Sequence, residues 1–300
     1  MTHDAELSLQ PMNRARLSDS ELEYLDLGPR SGAPPVVLLH PFLTDTRHYR
    51  KLVPLLSQQH RVIVPLLQLG AHRVPLPPEA KNSPLDLARR VAELIRQLEL
   101  GAVTLVGNDS GGAISQLVAA HHRDVVARLV LANCDAYEVF PPKEFAYLGV
   151  LGRSASLLRL TSWLLQRSRT LRHGPLTFGR LSRQPLPDAL VRSYCEPLAQ
   201  AGIARDTAKA CASFKPAQTL EAARILAAKP LPLRLVWGMA DPFFSVRLAE
   251  RLERDVRGAE LVRLPGVMAF VPEDAPEALA EAVRAIEVGD RPAQADCTTS

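Results

Sequence analysis

No stretch of this 300-residue chain stays apolar for the ~18 residues that a membrane-crossing helix needs. Met1 to Asn13 is polar and has no apolar core of the signal-peptide kind, so export is not expected. Cysteine is sparse: Cys134, Cys195, Cys211 and Cys297 have neither metal-ligand nor redox spacing, and they read as free thiols of a reducing, cytoplasmic compartment. A dominant charge is lacking too. The net charge of +4 does not argue for nucleic acid, and no nucleic-acid motif occurs. Two further absences are local. There is no Asp or Glu between Phe145 and Pro187, and there is no His after His173.

What is present is alternation. Glu21 to Leu27 alternates polar and apolar residues, as a half-buried antiparallel strand does. Val36 to Leu39, Arg61 to Pro65, Ala102 to Val106, Arg128 to Ala132, Leu233 to Trp237 and Glu260 to Leu264 read as buried or part-buried strands. Thr46 to Leu56, Leu85 to Leu98, Ala113 to about His121, Val246 to Val256 and Glu273 to Ile286 have helical spacing. Buried strands alternating with helices predict an α/β fold whose mainly parallel sheet is covered on both faces. From Ala136 to about Lys215 the strand runs stop, and the chain is rich in Arg, Leu and Pro. The expected organisation is a core of residues 1–135 and 216–290, a helical lid of residues 136–215, and a frayed tail over 291–300.

The strand ending at Val106 and the helix after it are joined by Gly107-Asn108-Asp109-Ser110-Gly111, the form Gly-x-nucleophile-x-Gly. Such a turn strains the backbone of its central residue. It also brings the residues two positions away so close that only small ones fit. The following helix directs free N–H groups and its positive dipole end at the turn, which suits a developing anion. Either Asp109 or Ser110 could stand at the apex. Asp109 would be flanked by Gly107 and Gly111, Ser110 by Asn108 and Gly112. An Asn side chain fits poorly there, so Asp109 is taken as the apex.

On these residues the chain resembles the α/β-hydrolase superfamily, over roughly residues 20 to 287. His40-Pro41-Phe42 stands where the family has a His-Gly loop that donates to an oxyanion. Gly107 to Gly111 resembles the nucleophile elbow, Trp237-Gly-Met-Ala-Asp241-Pro242 the stretch carrying the acid, and Pro272 to Glu277 the opening of the last helix. An Asp apex is similar to the haloalkane dehalogenase and epoxide hydrolase branch, in which the carboxylate attacks carbon and forms an ester. The resemblance implies an α/β-hydrolase fold: a mostly parallel eight-stranded sheet flanked by helices, with a helical lid after the sixth strand. It implies no metal or organic cofactor, and a small or medium apolar substrate. It also implies roles: Asp109 as nucleophile or base, Asp241 as support, and the backbone N–H groups of Phe42 and Ser110 as oxyanion donors.

The departures from the family pattern are specific. The family order is nucleophile, acid, then His. Here Ala269 holds the His place, and the last histidine is His173. An ester on Asp109 would therefore lack its usual water-activating base. Ser110 stands where the dehalogenases resembled have a Trp that holds the leaving halide, and Pro41 where the family has Gly. Candidate substitute bases are His40 and His72, and Asp135, just past the sixth strand, stands at another place where the fold can put its acid; each has a structural reading beside it. Asp241 reads equally as a turn residue. Tyr137, Tyr147 and Tyr194, in or beside the lid, read as packing. The lid arginines read as a solvated basic face, or as an attractor of anions. Ser154 to Arg167 is apolar with basic flanks and could lie on a membrane surface. The expectation is instead that it covers the pocket, with no membrane or nucleic-acid partner. These readings converge on an atypical hydrolase whose bond (ester, carbon–halide or epoxide) is open. A binding protein without turnover, and a lyase or isomerase using Asp109 as base, are the alternatives. Asp109 and Asp241 are expected to face one pocket near the Phe42 N–H.

Overall fold

The computed structural model describes residues 12–288. The expected frayed tail and Cys297 lie outside these residues. Eight strands form one sheet: β1 (Asn13–Arg16), β2 (Glu21–Leu27), β3 (Ala33–Leu39), β4 (His60–Pro65), β5 (Val103–Asp109), β6 (Val126–Cys134), β7 (Leu233–Gly238) and β8 (Glu260–Leu264). Their order across the sheet is β1-β2-β4-β3-β5-β6-β7-β8. β1 pairs antiparallel with β2, and β2 with β4; the other pairs are parallel. Strands β3 to β7 are short apolar runs because helices cover both their faces. β1 has no counterpart among the expected strands. It is short and polar with only Ala15 buried, as an edge strand can be.

The chain leaves β3 for β4 on one side and returns to β5 on the other. That reversal opens a crevice beyond the carboxyl ends of β3 and β5. Pro41 and Phe42 follow β3 into it, and Asp109 ends β5. The helices are α1 (Val53–Leu56), α2 (Pro84–Gln97), α3 (Ser110–His121), α4 (Leu148–Leu151), α5 (Ala155–Arg167), α6 (Arg169–Arg172), α7 (Asp188–Cys195), α8 (Ala201–Ser213), α9 (Pro216–Ala228), α10 (Val246–Asp255), α11 (Val271–Asp274) and α12 (Pro276–Val288). The single helix expected over Thr46 to Leu56 is a 3₁₀ turn at Thr46–Tyr49 followed by α1. The one expected from Glu273 breaks at Ala275, the residue before Pro276, where α geometry is disfavoured.

Helix α3 is buried at every residue from Ser110 to Ala119, so it sits inside the molecule rather than on it. Its approach to the sheet has no slack. A Cβ on Gly111 would stand 2.0 Å from the Leu39 carbonyl oxygen, and one on Gly112 would stand 2.3 Å from Cys134 Cβ.

Between β6 and β7 the described chain adds no strand to the sheet. Apart from an isolated bridge at Ala136 and Val139, it is helical or irregular. Polar clamps hold this insertion to the core. The buried Asp206 carboxylate accepts the Leu76 N–H at 2.7 Å, and Lys209 Nζ donates to the carbonyls of Pro78 and Ala80 at 2.7 and 2.6 Å. The Phe270 N–H donates to the Leu181 carbonyl at 2.7 Å.

Gly111→Ala should cost at least ~2 kcal/mol, the scale of overpacking against atoms that cannot move. Gly149→Ala, whose added Cβ meets nothing within 4 Å, should be neutral or slightly stabilising. Urea titration of the two variants beside the parent checks this; equal midpoints for both would mean that the α3–β3 contact has room to spare.

Candidate active site

Asp109 has φ 56° and ψ −131°, a backbone conformation rarely adopted by a residue with a side chain. Ser110, the next residue, already begins α3. The strained position is therefore Asp109. Its Oδ1 accepts the Ser110 N–H at 2.5 Å, so the first amide of α3 faces the carboxylate. Burial raises the Asp109 carboxyl to about 6, against the lowering effect of that Ser110 contact.

Asn108, the residue before the apex, locks the turn. Its Nδ2 donates to the carbonyls of Ala132, Asn133 and Ala269 at 2.8, 3.0 and 2.8 Å. Its Oδ1 faces His48 Nε2 at 2.8 Å, where the ring N–H donates. One amide thus joins the ends of β5 and β6, the loop at Ala269 and the segment after β3. Neither Asn108 nor His48 stands out as a site residue in the sequence. Burial holds His48 down at about 3.

The other sequence candidates separate clearly. Phe42 and Ser110 come together: the Phe42 N–H donates to Ser110 Oγ at 2.7 Å. Both expected oxyanion donors thus already have partners, one the Asp109 carboxylate and the other the Ser110 hydroxyl. His40 is fully buried. Its Nε2 accepts the Leu67 N–H at 2.9 Å, which leaves Nδ1 to donate to the Pro41 carbonyl at 2.9 Å. Both nitrogens are committed, and burial lowers its basicity to about 4. His72 is buried beside Asp206, with Nε2 3.6 Å from the carboxylate, and burial also lowers its pKa. Neither histidine lines the cavity at Asp109.

That cavity has a volume of about 320 Å³. Its floor is Phe42, Asp109, Ser110, Asp135 and Phe270, and the insertion supplies most of the remaining wall. Asp241 is not among the residues lining this cavity; it lines, with Met239 and Phe243, a groove that meets the cavity at Pro141 and Pro142. Its Oδ2 accepts Asn133 Nδ2 at 2.6 Å and its Oδ1 accepts the Phe243 N–H at 2.8 Å. These two donors hold the carboxylate between the end of β6 and its own loop. Burial raises it to about 6, with a small contribution from the Asp109 charge.

Asp135 lines the cavity together with Asp109. In the sheet register Asp109 pairs with Cys134, so Asp135 stands one residue further along the adjacent strand. Neighbouring strands are about 4.8 Å apart. Asp135 Oδ1 is buried without a hydrogen-bond partner. Burial, and then the nearby Asp109 charge, push its carboxyl well above the usual range. Burial thus favours the neutral acid at both positions. No group of His, Cys, Asp or Glu among the described residues is arranged to hold a metal ion. Cys134, Cys195 and Cys211 are buried free thiols.

Comparison with known proteins agrees with the fold. A profile described as the alpha/beta hydrolase family matches residues 36–282. The cis-3-alkyl-4-alkyloxetan-2-one decarboxylase of Xanthomonas campestris pv. campestris is 29% identical over 279 residues, covering 88% of this chain and 91% of that protein. Haloalkane dehalogenase 2 of Mycobacterium tuberculosis is 27% identical, covering 89% of this chain and 91% of that protein. Haloalkane dehalogenase DbeA from Bradyrhizobium elkani superposes with a TM-score of 0.75 at 19% identity, over 93% of this chain and 99% of that one. With a sheet of this order and a family match across most of its length, the chain belongs to the alpha/beta hydrolase family.

Proposed function

We propose that this protein opens a strained oxygen ring, an epoxide or a four-membered cyclic ester, on an alkyl-substituted substrate. Asp109 is the nucleophile and Asp135 the proton carrier. The observation that carries the reading is that these two carboxyl groups share the floor of one largely apolar cavity, both raised by burial and Asp135 also by the Asp109 charge. Groups whose environments drive their pKa values apart are suited to nucleophile and acid roles respectively. Residues 136–215 serve as the lid: Phe140, Leu148, Leu158, Leu165, Phe178 and Leu198 supply apolar wall.

The proton balance closes without a histidine. Asp109 attacks a ring carbon, the carbon–oxygen bond breaks, and the alkoxide takes the Asp135 proton. Asp135, now ionised, takes a proton from water as the hydroxide adds to the Asp109 ester carbonyl. The collapsing adduct expels the product oxygen, which leaves with the proton of the new Asp109 carboxyl. Asp109 is again a carboxylate and Asp135 again a neutral acid. A carbon–halide substrate would end differently. Halide departure takes no proton, Asp135 stays neutral, and Ala269 offers no imidazole to activate water.

The decarboxylase named among the relatives motivates a second reading. Loss of carbon dioxide from a four-membered cyclic ester leaves an alkene and consumes no water, so it too needs no base at position 269. An alkene product rather than a hydroxy acid would select it.

Three outcomes are expected. Incubation with an alkyl halide should add one alkyl mass that maps to Asp109, persists, and is absent in Asp109→Asn; turnover indifferent to Asp109→Asn would remove Asp109 from the chemistry. The alkylation rate should rise with pH through about 6 and then level, because only the ionised carboxylate attacks. A rate that is flat from pH 5 to 8 would contradict an Asp109 titrating there. Asp135→Asn should leave alkylation by the halide nearly intact and slow epoxide turnover by ~10²–10⁴-fold, the usual worth of general acid–base help. If neither adduct nor turnover appears with either compound class, the protein is a binder of apolar ligands instead.

A further inference from the structure

Most of the exposed large apolar residues of this protein are concentrated: Val150, Leu160, Trp163, Leu164, Leu171 and Leu176 lie in the insertion, with Leu160 53% and Trp163 49% exposed, whereas Leu85, Leu220 and Met239 stand singly elsewhere. Helix α5 explains this. Leu158 and Leu165 turn inward to the cavity, whereas Leu160, Trp163, Leu164 and Arg167 fall at i, i+3, i+4 and i+7 on the opposite side. The expectation that this helix only covers the pocket therefore holds for one of its two faces. The same segment carries Arg153, Arg159, Arg167 and Arg169, all exposed. None of the four has a carboxylate within ion-pair distance among the described residues. The nearest acids in sequence are Glu144 and Asp188, and Asp188 is taken by Arg172 at 2.6 Å.

We propose that the outer face of α4 to α6 docks on an anionic lipid bilayer and feeds the cavity with amphiphiles drawn from it. Apolar side chains interleaved with arginine, and no acid among them, are complementary to an acidic headgroup layer over hydrocarbon. A second copy of the chain fits less well, because it would set one acid-free arginine face against another. The cavity also reaches this face: Tyr147 and Leu176 both line it and are both exposed, and the Tyr147 hydroxyl donates to the Leu176 carbonyl at 2.6 Å. Docking follows from the surface alone, whereas the delivery of substrate rests on the catalytic reading above.

The test uses the intact chain and phospholipid vesicles. Of the two tryptophans, Trp237 is wholly buried, with Nε1 bonded to the Phe244 carbonyl at 2.8 Å, so a shift in emission reports Trp163. Phosphatidylglycerol-containing vesicles should shift the emission to the blue and carry the protein in flotation, and pure phosphatidylcholine vesicles should do so far less. Arg153→Glu/Arg169→Glu should weaken binding at least tenfold, since each basic residue near an anionic surface is worth about fivefold. Leu160→Ser/Leu164→Ser should weaken it as well. Both variants should still be alkylated at Asp109 by a water-soluble halide, which shows that they fold. Asp109→Asn should dock like the parent, so failure of the chemistry and failure of docking are read separately. No blue shift and no flotation with anionic vesicles would overturn the proposal. So would equal binding to neutral vesicles, or a dimer in sedimentation that Leu160→Ser/Leu164→Ser dissolves.

Discussion

Contact without clearance between helix α3 and the ends of three strands is the constraint on which the rest of this molecule depends. Gly111 abuts the end of β3, Gly112 abuts β6, and Gly107 leaves no room for a methyl group beside Ser115. With the helix pressed that close, the chain between β5 and α3 has one residue in which to reverse direction. Asp109 absorbs the reversal in its own φ and ψ. Strain of this kind persists only when its surroundings over-determine it. Here the Asn108 amide does so, by bonding three carbonyls from two other segments.

The same constraint sets the electrostatics. A helix packed flush on the sheet presents its first amide to the Asp109 carboxylate, while the surrounding apolar wall denies that carboxylate water. The two effects oppose each other, and burial dominates. Asp135, on the adjacent strand with its Oδ1 unpartnered, is raised by burial and then by the Asp109 charge, against a weaker lowering by a backbone hydrogen bond.

Much of this is legible in the sequence, for reasons that can be named. Strands β3 to β7 are visible because a parallel sheet buried on both faces demands unbroken apolar runs. The turn is visible because glycine at both Gly107 and Gly111, two positions either side of an ionisable residue, marks a crossing too tight for a Cβ. Position 269 is visible as a departure because the chain has no later histidine. Other features depend on where side chains turn. The approach of Trp237 to Asp241 locates a strand end but not the Asn133 amide that holds the carboxylate. Asn108 reads in the sequence only as a residue that would crowd the turn; its partners at Ala132, Asn133 and Ala269 are distant along the chain, so its hub role has no local signal. β1 escapes a sequence reading because a four-residue polar edge strand has almost no pattern to read.

The raised carboxyls have a consequence for heat as well as for chemistry. In the unfolded chain at pH 7 a proton that burial holds on Asp109, Asp135 or Asp241 is lost to the solvent. Unfolding therefore titrates the buffer, and the calorimetric enthalpy of the transition includes the buffer's own heat of ionisation. Scans in phosphate and in an amine buffer at one pH would differ by that heat times the number of protons released. The slope of enthalpy against buffer ionisation heat gives the net proton change: release from the raised carboxyls, Asp241 included, less uptake by His40 and His48, which burial keeps neutral in the fold.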